Sequence, residues 1–304
     1  MVGWGAPWDM TSSTPQVVAV FGPTASGKTA VSERLAAELG TEVVSADALQ
    51  VYRGLPILTN QPESPTRLVA IRDLSHEFSV GEYAGLAHRA VDELVQADGV
   101  AVVSGGTGLY LRAALVDLEL PPAAENGARA RWEELYDTDP DAAYTRLGEL
   151  DATASSIVHR NDRRRVVRAL ELAELSASLA PVRNRLWSAD TRRPTLVVGL
   201  DVPHDSLGGR IRERTATMFA RGVVDEVRRA VTGQVSRTAE KALGLRELAE
   251  LPPEQAQERL IARTRRYAAY QRKWMRRIEG IVMIDGDRPP EEVAGEILDL
   301  VRAR

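Results

Sequence analysis

Phe21–Ala30 reads FGPTASGKTA, and the segment GPTASGKT within it, Gly22–Thr29, meets the phosphate-binding pattern G-x-x-x-x-G-K-[ST] at every fixed position. Immediately upstream, Val17–Phe21 is a short apolar run that stops at Gly22; downstream, helical periodicity begins near Lys28 and runs to Leu39. The order is therefore strand, loop, helix. Glycines in such a loop allow a tight turn that aims successive backbone N–H groups at an anionic oxygen, and the helix N-terminus adds to the same field. Lys28 supplies a point charge and Thr29 a hydroxyl suited to Mg²⁺. Gly22, Pro23, Thr24, Ala25, Ser26, Gly27, Lys28 and Thr29 are thus the expected phosphate or diphosphate cradle.

Outward from the loop the pattern repeats. TEVVSA (Thr41–Ala46) reads as a second strand ending at Asp47, Tyr83–Gln96 as a helix, and GVAVVSGG (Gly99–Gly106) as a buried strand followed by a helix from about Thr107. Strands alternating with helices predict a mostly parallel sheet whose ligands sit at the carboxyl ends of the strands. Between about Pro121 and Ala180 the strand signal vanishes and helices rich in Ala, Glu and Arg follow one another. TLVVGLD (Thr195–Asp201) and IVMID (Ile281–Asp285) then restore strands, and Glu291–Arg304 reads as a last amphipathic helix. The expected organisation is a weakly patterned, flexible stretch over 1–14, an α/β domain from 15–120 and 190–304, and an all-helical insertion over 121–189.

Composition narrows the chemistry. Its 304 residues are about twice the usual single-domain length, so a large domain carrying a smaller one is expected. With no cysteine, disulfides, thiolate metal sites and a cysteine nucleophile are all excluded, and four scattered histidines argue against a histidine metal cluster. The N-terminal residues lack the basic and apolar regions of a signal peptide and no run of 18 apolar residues occurs, so a cytoplasmic protein with no membrane partner is expected. A net charge of −4 argues against indiscriminate coating of nucleic acid but permits a local basic face.

Two such faces are present. In HRNDRRRVVRALELAEL, Arg164, Arg165 and Arg168 accompany an apolar stripe, with Asp162 placed as a helix cap. In RLIARTRRYAAYQRKWMRRI, Arg259, Arg263, Arg266, Lys273 and Arg277 recur at helical spacing, Leu260, Tyr267 and Trp274 recur every seven residues, and no acidic residue intervenes from Arg259 to Ile278. Cations that neutralise phosphates are what nucleic-acid binding requires; the aromatic residues of the second segment read as core. A kinase or ATPase would also place an acidic Mg²⁺ ligand at the end of an apolar strand. Here that strand ends in Ser104-Gly105-Gly106-Thr107, and the nearest acidic strand end is Asp47, in SADALQVYRG.

Taken in order, GPTASGKT, SADALQVYRG, GGTGLYLRAAL, NDRRRVVRALELAEL, RIRERTATMFARGVVDEV, KALGLREL and TRRYAAYQRKWMRR resemble the bacterial tRNA dimethylallyltransferases over nearly the whole chain. The resemblance implies an α/β, P-loop NTPase-like parallel sheet flanked by helices with an inserted all-helical domain. It implies that the loop holds the diphosphate of dimethylallyl diphosphate, with Mg²⁺ on Thr29, and that the acceptor is N6 of the adenosine 3′-adjacent to the anticodon of tRNA. Asp47 would be the general base, Lys28 would stabilise the leaving diphosphate, and Thr107 would help position the amine or the diphosphate. Arg210 and Arg214 match family arginines near the diphosphate channel. Asp47, Ala48, Leu49, Gln50, Thr107, Arg129, Arg164, Arg165 and Arg168 match tRNA-contacting segments, and Arg263, Arg266 and Lys273 are the further cations expected on the anticodon stem-loop. A monomer is expected.

Departures fall in one place. Where the family reads D-S-x-Q-V-Y-x-G-x-D-I-G-T-A-K-P, this chain reads DALQVYRGLPILTNQP, so Ala48, Pro56, Leu58, Asn60 and Gln61 differ and a basic side chain is missing at Gln61. A His-His-Leu-Ile-Asp-like segment is replaced by TRLVAIRDLSHEFSVGEY. LTNQP resembles the adenylate isopentenyltransferases, which act on free AMP, ADP or ATP, so a free-nucleotide acceptor stays open here. A phosphate-loop kinase using ATP is the third reading.

Overall fold

The computed structural model describes residues 14–118, 127–180 and 186–304; most of the stretch 1–14 expected to be flexible lies outside the described residues. The chain divides into two compact units, Met1–Asp117 with Arg185–Arg304, and Leu118–Asn184. The sequence expectation for the insertion ran on to residue 189. Residues beyond 186 are tied to the α/β unit instead, through Arg192 N–H to Leu115 O (2.8 Å) and Glu279 N–H to Trp187 O (3.0 Å).

In the larger unit, β1 (Val17–Phe21), α1 (Lys28–Leu39), β2 (Val43–Ser45), β3 (Thr66–Arg67), α2 (Val80–Asp98), β4 (Ala101–Gly105) and α3 (Gly108–Leu115) precede the insertion. The insertion comprises α4 (Ala128–Thr138), α5 (Pro140–Leu150), α6 (Ala152–Ile157) and α7 (Arg163–Glu174). After it come β5 (Thr195–Asp201), α8 (His204–Ala220), α9 (Val223–Ala230), α10 (Leu245–Glu250), α11 (Pro253–Met275), β6 (Val282–Asp285) and α12 (Pro290–Arg302). All strands are parallel, in the order β3-β2-β4-β1-β5-β6.

Every residue of β1 is buried, as a central parallel strand covered on both faces requires. On one side Val18 and Val20 pack with Val31 and Leu35 of α1 and Val293, Ile297 and Leu298 of α12. With β1 in the middle and all strands parallel, the ends of β1, β2, β4 and β5 open onto one edge. That edge carries the phosphate loop, Asp47 and the Gly105-Gly106-Thr107 turn.

Two local differences from the sequence reading have physical causes. The α2 helix starts at Val80 rather than Tyr83 because the Ser79 hydroxyl accepts from Glu82 N–H (3.1 Å), an N-cap that extends the first turn. β3 is a strand of two residues within TRLVAIRDL, too short for a period-two signal. A separate apolar cluster, formed by Met218, Val223, Val227, Leu245, Leu248 and Leu260 from α8–α11, takes in Leu55 and Leu58. Leu58, one of the departures from the family pattern, is therefore a core residue.

Candidate active site

The loop is shaped by its glycines and by one buried hydroxyl. Gly27 takes φ 87°, a left-handed conformation open to glycine, and caps α1. A Cβ on Gly22 would lie 2.4 Å from Ser26 Oγ, so only glycine fits there. Ser26 is buried and its hydroxyl makes no hydrogen bond. Gly22, Pro23 and Ser26 hold the turn from inside, while Thr24, Ala25, Gly27, Lys28 and Thr29 line an open cavity of about 460 Å³. Asp47, Gln50, Asn60, Arg210 and Arg214 line the same cavity, so the structure gathers residues from four separate motifs at one sheet edge.

The floor is cationic. Burial, then the neighbouring Arg214 guanidinium, draws the Lys28 pKa down to about 8, with Asp47 acting in the opposite sense. Arg214 is likewise lowered by burial and held up by Asp47. Two cations this close, desolvated and facing one carboxylate, form a site that gains by taking up a polyanion. Arg210 is anchored at the rim by Asp287 (2.8 Å) and by the carbonyl oxygens of Gly286 and Ser26.

Asp47 is held in one pose. Its Oδ1 accepts from Leu49 N–H (2.9 Å) and more weakly from Gln50 N–H (3.4 Å), an Asx turn that leaves Oδ2 free among the described residues. Gln50 is fixed in turn: its carbonyl oxygen accepts from Ser45 Oγ (2.7 Å) and its amide donates to Asn60 O (2.8 Å). Gln61 donates to Tyr52 O (2.7 Å) and Gln50 O (3.2 Å). The side chain that replaces the family's basic residue thus latches the segment to the strand-end loop. Buried Glu226 accepts from Ile57 and Leu58 N–H, both at 2.8 Å, and closes the same turn.

Sequence reading missed Gln271. This buried α11 side chain accepts from Thr24 N–H and donates to Gly106 O, both at 2.8 Å, clamping the phosphate loop to the end of β4. The glycines of GGTG make room for that helix: a Cβ at Gly106 would lie 2.4 Å from Gln271 Nε2, and one at Gly108 would lie 2.2 Å from the Trp274 ring. Thr107 lines neither cavity wall; its hydroxyl pairs with Tyr267 OH (3.1 Å). Tyr267 and Asp47 line a smaller, mostly apolar pocket of about 80 Å³ with Leu49, Leu58, Ile211 and Met218, which also touches Thr24 and Arg214. The Tyr267 phenol, pushed up to about 12 by burial and by Asp47, stays protonated.

Basic residues expected to meet RNA are differently disposed. In the insertion, Asp162 caps α7 by accepting from Arg165 N–H (3.2 Å), Arg164 is exposed, and Arg165 lies 3.6 Å from Asp162. Arg168 and Arg129 both reach the fully buried Glu171 carboxylate, at 3.2 and 3.7 Å. On α11, Arg263 pairs with Glu247, whereas Arg266 and Lys273 are exposed.

A parallel sheet with a phosphate loop at its centre, cations on the cavity floor and one oriented carboxylate instead of a strand-end metal ligand define a group-transfer enzyme of the P-loop class. Comparison with known proteins specifies the kind. The profile of the IPP transferase family matches residues 50–278, and that of isopentenyl transferases matches residues 15–68. The tRNA dimethylallyltransferase of Corynebacterium jeikeium is 36% identical over 96% of this chain and 99% of its own length. That of Streptomyces coelicolor is 37% identical over 90% of this chain and 91% of its own. The crystal structure of the full-length tRNA isopentenylpyrophosphate transferase from Bacillus halodurans superposes with a TM-score of 0.68 at 30% identity, covering 95% of this chain and 96% of that one. The chain belongs to the IPP transferase family.

Proposed function

We propose that this enzyme transfers a dimethylallyl group from dimethylallyl diphosphate to N6 of the adenosine 3′-adjacent to the anticodon in tRNA, releasing diphosphate. The observation that carries the chemistry is the convergence of Lys28, Arg214, the loop and Asp47 on one cavity, with Asp47 acting electrostatically on both cations. The relatives' activity on tRNA carries the acceptor. N6 attacks the allylic carbon; the new N–C bond forms as the C–O bond to diphosphate breaks, and that electron pair leaves on diphosphate. Lys28, Arg214, Arg210 and the loop amides receive the growing charge, an oxyanion-hole type of stabilisation. Asp47 Oδ2 accepts the N6 proton, its pose fixed through Oδ1. Thr107, through Tyr267, orients the wall against which the amine is presented.

Mg²⁺ fits the donor set. Thr29 lines the cavity beside Lys28, and its hydroxyl is free of protein hydrogen bonds among the described residues. No cluster of three His, Cys, Asp or Glu side chains suited to a metal occurs among those residues. A hard cation that takes few protein ligands and completes its shell with phosphate oxygens and water is the one such a site suits. When bound, it would neutralise diphosphate charge, with Thr29 as its protein ligand.

The target base must be splayed from the loop to reach Asp47. Ala48, Leu49 and Gln50 then border its path, and the exposed Arg266 and Lys273 suit the RNA backbone; in the insertion, taken by itself, Arg164 and Arg165 suit the same kind of contact. A cytoplasmic monomer suits this role; no helix among the described residues is long and apolar enough to cross a membrane. The test offers unmodified tRNA and AMP in parallel to the protein with Mg²⁺ and labelled dimethylallyl diphosphate. Label on tRNA alone is expected. Label on AMP alone would overturn the acceptor, and ATP consumption without prenyl transfer would overturn the reaction.

A further inference from the structure

The α11 helix has two faces with different partners. Tyr267, Gln271 and Trp274, at steps of four and three, form the seam packed on the Gly106–Gly108 turn. Arg266, Tyr270 and Lys273 follow the same spacing one residue earlier on that seam's flank, Arg277 stands in the turn after the helix, and all four are exposed. Tyr270 has 55% of its surface in solvent and is the only aromatic among the exposed large hydrophobic side chains of the described residues.

The cations around it are uncommitted. Elsewhere on α11, Arg263 is paired with Glu247 and Arg272 with Asp201. Among the described residues, no carboxylate lies within ion-pair reach of Arg266 or Lys273, and Arg266 donates only to Ala262 O of its own helix. The Arg277 guanidinium lies 3.9 Å from the Trp187 ring centre, Trp187 stands 4.5 Å from Trp274, and Tyr270 meets Trp274 edge-on at 6.3 Å. Rigid aromatic planes bordered by unpaired cations are the combination that holds a stacked base and its phosphate. A protein partner would not require that run of free positive charge.

We infer that Tyr270, braced edge-on by the Trp274–Trp187–Arg277 cluster and flanked by Arg266 and Lys273, is a stacking site for an unpaired RNA nucleotide. The inference rests on the proposed tRNA acceptor and deepens it: the nucleotide is a second loop residue, other than the one modified. Its place follows from the helix. Tyr267, one turn before Gln271, borders the pocket that Asp47 lines, and Tyr270 lies on the adjoining flank. A loop entering the site along α11 would thus be held at two bases, one splayed toward Asp47 and one stacked outside.

The test measures binding and prenylation of a synthetic unmodified anticodon stem-loop RNA, with a fully paired RNA duplex of equal length as control. Tyr270→Ala should weaken stem-loop binding about 10-fold, the loss of one stacked base, and leave duplex binding unchanged. Its salt dependence should keep the wild-type slope, because stacking releases no counterion, whereas Lys273→Ala should flatten that slope. Tyr270→Phe, which keeps the ring, should bind like wild type, and KM for dimethylallyl diphosphate should stay constant throughout. Wild-type affinity of Tyr270→Ala, an equal loss on duplex, or a loss in Tyr270→Phe as large as in Tyr270→Ala would overturn the stacking site while leaving the tRNA reading intact. A wild-type enzyme that neither binds nor prenylates the stem-loop would overturn both.

Discussion

The cations of the cavity floor and the arginines of the insertion look alike in sequence and differ in what they are free to do. Lys28 and Arg214 sit desolvated beside each other with Asp47 as the carboxylate acting on both. Of the insertion's arginines, Arg129 and Arg168 serve a buried glutamate, Arg163 is bound by Asp137 at 2.6 Å, and Arg131 by Glu174 at 3.0 Å. Positive charge is therefore concentrated at the loop, while in the insertion most of it is paired with local carboxylates. A run of arginines in sequence reports capacity for charge, and the local carboxylates decide how much is left for a ligand.

The largest effect that would break this contrast is at Asp47. Asp47→Ala should lower kcat about 1000-fold, within the range for a lost general base, with donor affinity nearly unchanged, as read by single-turnover transfer and by calorimetry. Equal loss of both would make Asp47 a structural counter-charge to the floor. Lys28→Ala should weaken dimethylallyl diphosphate itself by about 100-fold, a loss of charge-assisted contact.

Lys28 also sets a pH dependence. Its pKa in the free enzyme is about 8, below the ordinary lysine value, because burial and Arg214 disfavour the charged form. A bound diphosphate favours that form and raises the pKa, so donor binding should take up a proton above about pH 8, and affinity should fall as pH rises beyond it. Calorimetry in buffers of different ionisation enthalpy reads the proton directly. Lys28→Ala should abolish the uptake; uptake that survives would place it on another group.

How much of this could be read in advance follows the range of the interactions. The loop, its strand and its helix are continuous in sequence, and α1 occupies Lys28–Leu39 as the periodicity required. TLVVGLD is β5 residue for residue. That Asp47 lies at the loop's edge of the sheet is legible because parallel topology puts strand ends together, and Asp47 does line the cavity with the loop. Gln271 was invisible: its partners Thr24 and Gly106 lie 247 and 165 residues away, and a lone glutamine between Tyr270 and Arg272 in a basic helix carries no pattern. The aromatic residues of α11 read as core from sequence, and Tyr270 departs from that expectation because a periodicity does not say where the covered stripe ends. Gln61 looked like a lost charge at the site and is a latch on Tyr52 and Gln50.

Gln271 gives the next largest effect. Gln271→Leu keeps the bulk but strands a half-buried loop N–H and a buried strand-end carbonyl, which should cost about 2 kcal/mol of stability. Donor affinity should fall as well, since Thr24 no longer has its anchor. Retained stability with retained affinity would mean that the phosphate loop holds its shape through its glycines alone.

Within the insertion, the same change at two neighbouring arginines should give opposite readouts. Arg168→Ala takes one partner from the buried Glu171 carboxylate and leaves Arg129 at 3.7 Å. Breaking a buried pair is strongly destabilising, and the remaining arginine reduces the loss, so about 2 kcal/mol is expected in thermal unfolding. Arg164 is exposed, with no ion pair among the described residues. Arg164→Ala should leave stability within about 0.5 kcal/mol and act on tRNA alone: a several-fold weaker complex, with the salt slope reduced by about one phosphate contact. If Arg164→Ala left the slope unchanged while Arg168→Ala flattened it without unfolding anything, the paired arginines would be the ones that meet RNA, and pairing in the free protein would have to be a reserve released on binding.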